Sequence, residues 1–200
     1  MKQLLRRASY AWGPRVASAL RKRWLLWRHP HCDIRFEGPV YLGPGFSFFC
    51  PEGGTFVVGP NVEFRRGFRI ELHKGATVRI GGGTVFTYYV LVQCSSTIDI
   101  GERCMFGQSS IVVDGNHRFR DLDRPMLQQG YDLVPITIAD DAVVTSKCTI
   151  IADLGRRAWI GANSVVTKPV PDYCVAAGVP ARVLEYFGPP DSAPLDQPAS

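Results

Sequence analysis

The chain has no run of 18 apolar residues, so no segment reads as a bilayer-spanning helix. Its six cysteines (Cys32, Cys50, Cys94, Cys104, Cys148 and Cys174) form no C-x-x-C pair, so the spacing of a zinc knuckle or a thiol redox motif is missing. With 200 residues the chain is neither small nor Cys-dense enough to call for a disulfide framework, and the thiols read as reduced, in a cytoplasmic protein. Histidine is scarce, at four. There is no G-x-S-x-G, so a serine nucleophile on a strained elbow is not expected. Residues 1–32 hold eight Lys/Arg and no acid, whereas the rest holds fifteen Lys/Arg against eighteen Asp/Glu. The net charge of +5 therefore belongs to the N-terminal arm. The body shows no broad basic face, and nucleic acid is not an expected partner.

Convincing helical periodicity is confined to residues 2–12 and 15–28. In the second stretch Val16, Leu20, Trp24 and Trp27 fall on one helical face. Gly13-Pro14 is expected to separate the two, with Pro14 near the start of the second. Two readings of residues 1–32 stay open: a helix that caps the end of a repeat stack, and a basic arm lying on an anionic membrane surface with tryptophan at the interface. The apolar stretch is broken by Gly13, Pro14 and Arg15, so a cleaved leader is not expected.

From residue 34 onward short Val/Ile/Phe/Thr runs alternate with Gly, Pro, Asn and Asp, and a period of six appears. Val58-Gly59-Pro60-Asn61-Val62-Glu63 leads into Phe64. Ile80-Gly81-Gly82-Gly83-Thr84-Val85 leads into Phe86, and Ile100-Gly101-Glu102-Arg103-Cys104-Met105 into Phe106. Ile138-Ala139-Asp140-Asp141-Ala142-Val143 and Ile160-Gly161-Ala162-Asn163-Ser164-Val165 lead into Val144 and Val166. Each hexad supplies a short strand and a corner. The large apolar residue points inward, the small residue four places on fits inside near the corner, and Gly or Asn permits the turn. Three hexads close a triangular coil, and coils must stack because one alone cannot bury its face. The expected fold is all-β, a parallel β-helix of about six coils over residues 33–187, with an N-terminal helical arm. Residues 114–135 break the period with a polar run and read as one protruding loop, where binding and chemistry concentrate. Residues 188–200 read as a disordered tail.

Four segments resemble the hexapeptide-repeat acyltransferase superfamily, in its sugar and polysaccharide O-acetyltransferase branch. They are Ile111-Val112-Val113-Asp114-Gly115-Asn116-His117 with Arg118-Phe119; Pro135-Ile136-Thr137-Ile138; Trp159-Ile160-Gly161-Ala162-Asn163-Ser164-Val165-Val166-Thr167-Lys168; and Val175-Ala176-Ala177-Gly178-Val179-Pro180-Ala181-Arg182-Val183. The resemblance covers roughly residues 55–185. It implies a left-handed β-helix, a homotrimer with its active site between subunits, acetyl-CoA as co-substrate, and His117 as catalytic base. It further implies contacts to acetyl-CoA at Ser146, Ala162, Thr167, Lys168 and Arg182. Asp114 would orient the imidazole or bind a sugar hydroxyl. Asn116, Arg118, Arg124, Tyr88 and Gln93 would meet the acceptor.

The residue chemistry agrees. Acyl transfer to an alcohol needs a base for the hydroxyl proton, and imidazole is the side chain suited to that near neutral pH. Lys168 and Arg182 could meet the phosphates of coenzyme A. No metal is expected. The γ-class carbonic anhydrases share the fold but need three histidines around an ion, and the position five after His117 is Leu122. Transfer to an amine or to serine, and a catalytically silent trimeric scaffold, are the alternatives. The coil from Ile150 to Gly155 appears two residues short of the superfamily pattern, which puts the Ser146 contact in question.

Overall fold

The computed structural model describes residues 2–190, with side chains from residue 13 onward. Its strands form three parallel sheets that are the three faces of one left-handed β-helix. After helix α1 (Lys2–Arg28), coil 1 comprises β1 (Asp33–Phe36), β2 (Val40–Leu42) and β3 (Ser47–Phe49). Coil 2 comprises β4 (Thr55–Val58), β5 (Val62–Phe64) and β6 (Arg69–Leu72), and coil 3 comprises β7 (Thr77–Ile80), β8 (Val85–Phe86) and β9 (Leu91–Cys94). Coil 4 is β10 (Thr97–Ile100), β11 (Met105–Phe106) and β12 (Ile111–Val113). The chain then leaves the stack as an antiparallel ribbon, β13 (Gly115–His117) and β14 (Tyr131–Leu133), with a single 3-10 turn (Met126–Gln128) toward its tip. It rejoins as coil 5: β15 (Ile136–Ile138), β16 (Val143–Val144) and β17 (Thr149–Ile150). Coil 6 runs through Leu154, β18 (Trp159–Ile160) and β19 (Val165–Val166). A seventh turn begins at Val170 and ends in the antiparallel hairpin β20 (Cys174–Gly178) and β21 (Ala181–Tyr186).

The inward residues of the hexads form the core. Phe64, Phe86 and Phe106 stack with centroids 5.2 and 4.7 Å apart and planes inclined by 11°. The small residue after the inward one is required by the next coil: a Cβ on Gly81 would lie 2.5 Å from the Gly101 carbonyl carbon. The corners follow the hexad less closely in residue type. Expected at these left-handed turns are Gly and Asn. The structure also puts Tyr89, Arg103, Ser109, Asp141, Lys147, Arg157 and Tyr173 there, with φ between 55° and 61°. Such non-glycine residues cost about 1 kcal/mol each. The corner N–H groups bond the preceding coil, as in Arg103 N to Gly82 O and Lys147 N to Gln108 O, which offsets that cost.

Coil length varies, and only at the corner between the third face (β3, β6, β9, β12, β17, β19) and the first (β1, β4, β7, β10, β15). Strand partners put Asp33 beside Thr55, Thr55 beside Thr77 and Thr77 beside Thr97. At the far end Ile138 lies beside Leu154, and Leu154 beside Val170. The early coils are thus longer than three hexads and the late ones shorter, while the other two corners keep the step of six. The ribbon is inserted at this same variable corner, where extra chain disturbs no fixed turn.

One expectation about the arm is corrected. Gly13-Pro14 does not divide it: α1 runs unbroken from Lys2 to Arg28 with Pro14 inside. A proline removes one donor and crowds the carbonyl four residues back, a cost the helix bears without ending. From Pro14 onward α1 lies against β2, the free edge of the second face. Leu42 N–H donates to Ser18 Oγ at 2.8 Å, Arg21 Nη1 donates to Leu42 O at 2.8 Å, and Leu25 is buried in the core. The edge carbonyl and amide that would invite another strand are thereby satisfied. Residues 191–200 of the expected tail lie outside the described residues.

Candidate active site

The ribbon is pinned where it leaves the stack. Asp114 is 4% exposed, and its carboxylate accepts the N–H groups of Ser95 and Ser96, both at 2.7 Å, and the Cys94 thiol at 3.3 Å. Its carbonyl accepts Val134 N–H at 2.9 Å on the return strand. Burial, with the neighbouring carboxylate adding to it, pushes the Cys94 thiol far up. Asp114 was expected to orient the imidazole or to bind a sugar hydroxyl. The structure uses its oxygens to tie the ribbon base to coil 3, and neither nitrogen of His117 is among its partners.

Three residues beyond that anchor, His117 pairs with Tyr131 across the ribbon. The two rings are 4.4 Å apart at 43°, and Tyr131 in turn meets the His73 ring edge-on at 6.2 Å. The His117 side chain is exposed, backed by an aromatic ring that limits its rotamers. A hollow of about 490 Å³ opens beside it, lined by Asn116, His117, Arg118, Phe119, Arg124 and Asp132, among others. Arg118 donates to Asp132 at 2.6 Å and Arg124 to Asp121 at 2.6 Å, so both expected acceptor contacts are already paired on an exposed surface. The loop beyond is held by Gln129, whose amide accepts from Asp121 N–H and donates to the Asp121 and Arg124 carbonyls. Gln129 and Tyr131 were not singled out in the sequence, although Tyr131 is recoverable once the ribbon is drawn, since it must oppose His117.

The residues expected to contact acetyl-CoA lie elsewhere. Ser146 and Ala162 follow β16 and β18 at the corner between the second and third faces, and Asn163 N–H bonds Ser146 O at 3.0 Å. This corner keeps the step of six, so the short coil does not distort it. A hollow of about 360 Å³ there is lined by Arg65, Thr87, Tyr88, Met105, Gln108 and Ser146, among others. Thr87, which also lines this hollow, has a buried Oγ1 without a hydrogen-bond partner and was missed by the sequence reading. Tyr88 thus joins Ser146 here. Gln93, on β9 opposite Val113, lies instead at the ribbon's edge of the third face. Thr167 and Lys168 follow β19, where the shortened corner begins. Arg182 is exposed on β21, opposite Ala177. Within one chain His117 and the Ser146 corner flank opposite edges of the third face. From Ser109 to Asp114 that face spans about 16 Å at ~3.3 Å per residue.

Histidine and cysteine also meet at the junction of α1 and β1, where donor atoms of His29, His31 and Cys32 lie within 4.8 Å of one another. There His31 Nε2 bonds Cys50 O at 2.8 Å.

No protein-family model matches the chain. It is 28% identical over 160 residues to the probable acetyltransferase Rv3034c of Mycobacterium tuberculosis, covering 78% of this chain and 52% of that protein. The chain spans about half the length of the first curated relatives it matches. Among solved structures, the hexapeptide-repeat acetyltransferase VCA0836 of Vibrio cholerae superposes with a TM-score of 0.59 and 24% identity, covering 84% of this chain and 81% of that one. A galactoside acetyltransferase in complex with coenzyme A superposes with a TM-score of 0.59 and 21% identity, covering 90% and 77%. In its hexad repeat and coil architecture the chain shares the fold of the hexapeptide-repeat acetyltransferases, and in sequence it is similar to a probable acetyltransferase.

Proposed function

We propose that the protein is an acetyltransferase that moves the acetyl group of acetyl-CoA to a hydroxyl of a sugar or polysaccharide precursor, with His117 as general base. The carrying observation is the presentation of His117: an exposed imidazole on a pinned ribbon outside the stack, backed by Tyr131 at 4.4 Å. The neighbours of like fold include a galactoside acetyltransferase bound to coenzyme A, which supports the donor and the acceptor class.

In the reaction the acceptor hydroxyl gives its proton to the imidazole as its oxygen attacks the thioester carbonyl. The tetrahedral intermediate collapses, the C–S bond breaks, and the imidazolium returns the proton to the coenzyme A thiolate, so no proton is left over. A corner N–H facing the thioester oxygen would stabilise its developing charge. Ser146, Ala162, Thr167, Lys168 and Arg182 would hold the donor, and the exposed Tyr88 would meet a ligand in the corner hollow. Because His117 and that corner flank opposite edges of one face, the cleft is completed by a neighbouring copy, as in a homotrimer. Asp114 acts by positioning the ribbon. Acetyl-CoA and the chain's free thiols fit a cytoplasmic setting, with residues 1–32 making peripheral membrane contact.

Release of coenzyme A thiol across a panel of sugars tests this reading. His117→Ala is expected to lower the rate with the best acceptor by about 10²–10⁴-fold, with its melting temperature and oligomeric state unchanged. Equal, slow release by wild type and variant with every acceptor would leave the silent scaffold as the better account.

A further inference from the structure

Helix α1 has two faces of opposite fate. Ser18, Arg21 and Leu25 are tied to β2 and the core, with Leu25 2% exposed. Val16, Leu20, Trp24 and Trp27 are 57%, 64%, 59% and 75% exposed. At ~100° per residue these four fall within about 80° of arc, and Leu25 lies opposite them. The anchored face fixes the helix's rotation, so the stripe cannot turn inward to hide. The exposed Arg23 and Arg28 flank it, and residues 1–32 contain no acid.

We infer that this stripe docks α1 flat on an anionic lipid surface, tryptophans at the headgroup boundary and the flanking arginines on lipid phosphates. The inference rests on the peripheral contact proposed above and not on the acyl-transfer chemistry, so the two can fail separately. Charge selects the occupant. Two copies meeting stripe to stripe would bring cation against cation, whereas an anionic bilayer offers apolar depth and opposite charge together. No helix among the described residues is long and apolar enough to cross a membrane, so the helix lies on the surface. The ribbon leaves coil 4, three coils from the one α1 covers, or about 14 Å along the stack at ~4.8 Å per coil. A glycan carried on a lipid headgroup would be within that reach.

The test is co-sedimentation of the full chain with phosphatidylcholine vesicles, with and without 30% phosphatidylglycerol (roughly the charge density that polybasic segments respond to). Binding is expected to anionic vesicles and to weaken at high salt. A Trp24→Ser/Trp27→Ser double variant should bind at least about tenfold more weakly, with its melting temperature unchanged, since both side chains are exposed. Arg23→Gln should lose about fivefold on anionic vesicles and little on neutral ones. Equal binding by wild type and the double variant would overturn the inference. So would absence of binding to either vesicle, or a change of oligomeric state in the double variant without lipid, which would mean that a second copy covers the stripe.

Discussion

Asp114→Asn separates two ideas about the residue three places before His117. In the wild type a carboxylate that is 4% exposed accepts two backbone N–H groups at 2.7 Å. Hydrogen bonds to a charged acceptor are worth about 1.5–3 kcal/mol each. Asparagine keeps one acceptor oxygen but turns an NH₂ toward the other N–H, so one bond is lost and the one kept is to a neutral group. The expected cost is about 3 kcal/mol. If it fell on the whole fold, the melting temperature would drop by roughly 6–12 °C at this chain length. The coils contact only their neighbours, so the loss should instead concentrate where the bond acts. Amide exchange across residues 114–135 is therefore expected to accelerate by about 100-fold while the coils keep their protection. Activity should fall through the population of correctly placed ribbon, with the pH–rate profile lower but unchanged in shape. A group that oriented or charged the imidazole would shift the profile's acidic limb. Unchanged exchange across the ribbon together with a shifted limb would refute the anchoring argument.

Further outcomes follow from the packing. Phe86→Ala, at the centre of the ring stack, should cost about 3–5 kcal/mol in chemical denaturation. Gln129→Ala should leave the melting temperature nearly unchanged but raise exchange across residues 121–130, because its three bonds are all within the loop. Thr87→Val should be neutral or slightly stabilising in chemical denaturation, since it removes a buried hydroxyl without a partner. Burial pushes the thiols of Cys50 up to about 12 and of Cys104 up to about 11, and only Cys32 is partly accessible. Native protein at pH 8 should therefore expose about one thiol to a thiol reagent and six after denaturation. The Arg103 guanidinium holds the Asp141 carboxyl below the usual carboxylate range. Its contribution is present above the unfolded value and is lost as pH falls through the lower, folded one. The pair is exposed and screened, so Arg103→Gln should flatten the acid limb of the stability curve only slightly.

The hexad was legible because close packing leaves it little freedom. An inward Phe or Val, then a residue that must be small to clear the next coil, recurs wherever the corner is regular, and so coil number and the bounds of the excursion could be read off the chain. Corner residue types were not legible. Gly45 and Gly67 advertise a left-handed turn, but Tyr89, Ser109 and Lys147 occupy the same corner farther along, and nothing in those residue types announces it. What holds them is a hydrogen bond to the previous coil, a long-range term invisible to a local pattern. The extra length of the first coils was hidden for a related reason, since an even number of added residues, four in each of the first two coils and two in the third, keeps the in–out alternation and looks like more strand. Pro14 reads locally as an end to the helix, yet the helix continues.

The candidate site divides along the same line. His117 stood out because it lies where the repeat stops, a local signal, and within a segment that resembles the superfamily's loop. The anchoring bonds of Asp114 were not legible because its partners are the amides of Ser95 and Ser96, one coil earlier, and a backbone amide carries no residue-type signature. Tyr131 is set by strand pairing 14 positions away, again beyond the reach of a motif. His117 was therefore easier to single out than the residues that hold its ribbon in place. A repeat fold makes this general. Its coils are fixed by short-range spacing, so whatever departs from the spacing is visible, while the bonds that anchor the departing segment run between coils and appear only when the stack is built. That places the most informative perturbations of this protein at the ribbon's attachment, where a single carboxylate joins the regular part of the fold to the irregular part that carries the imidazole.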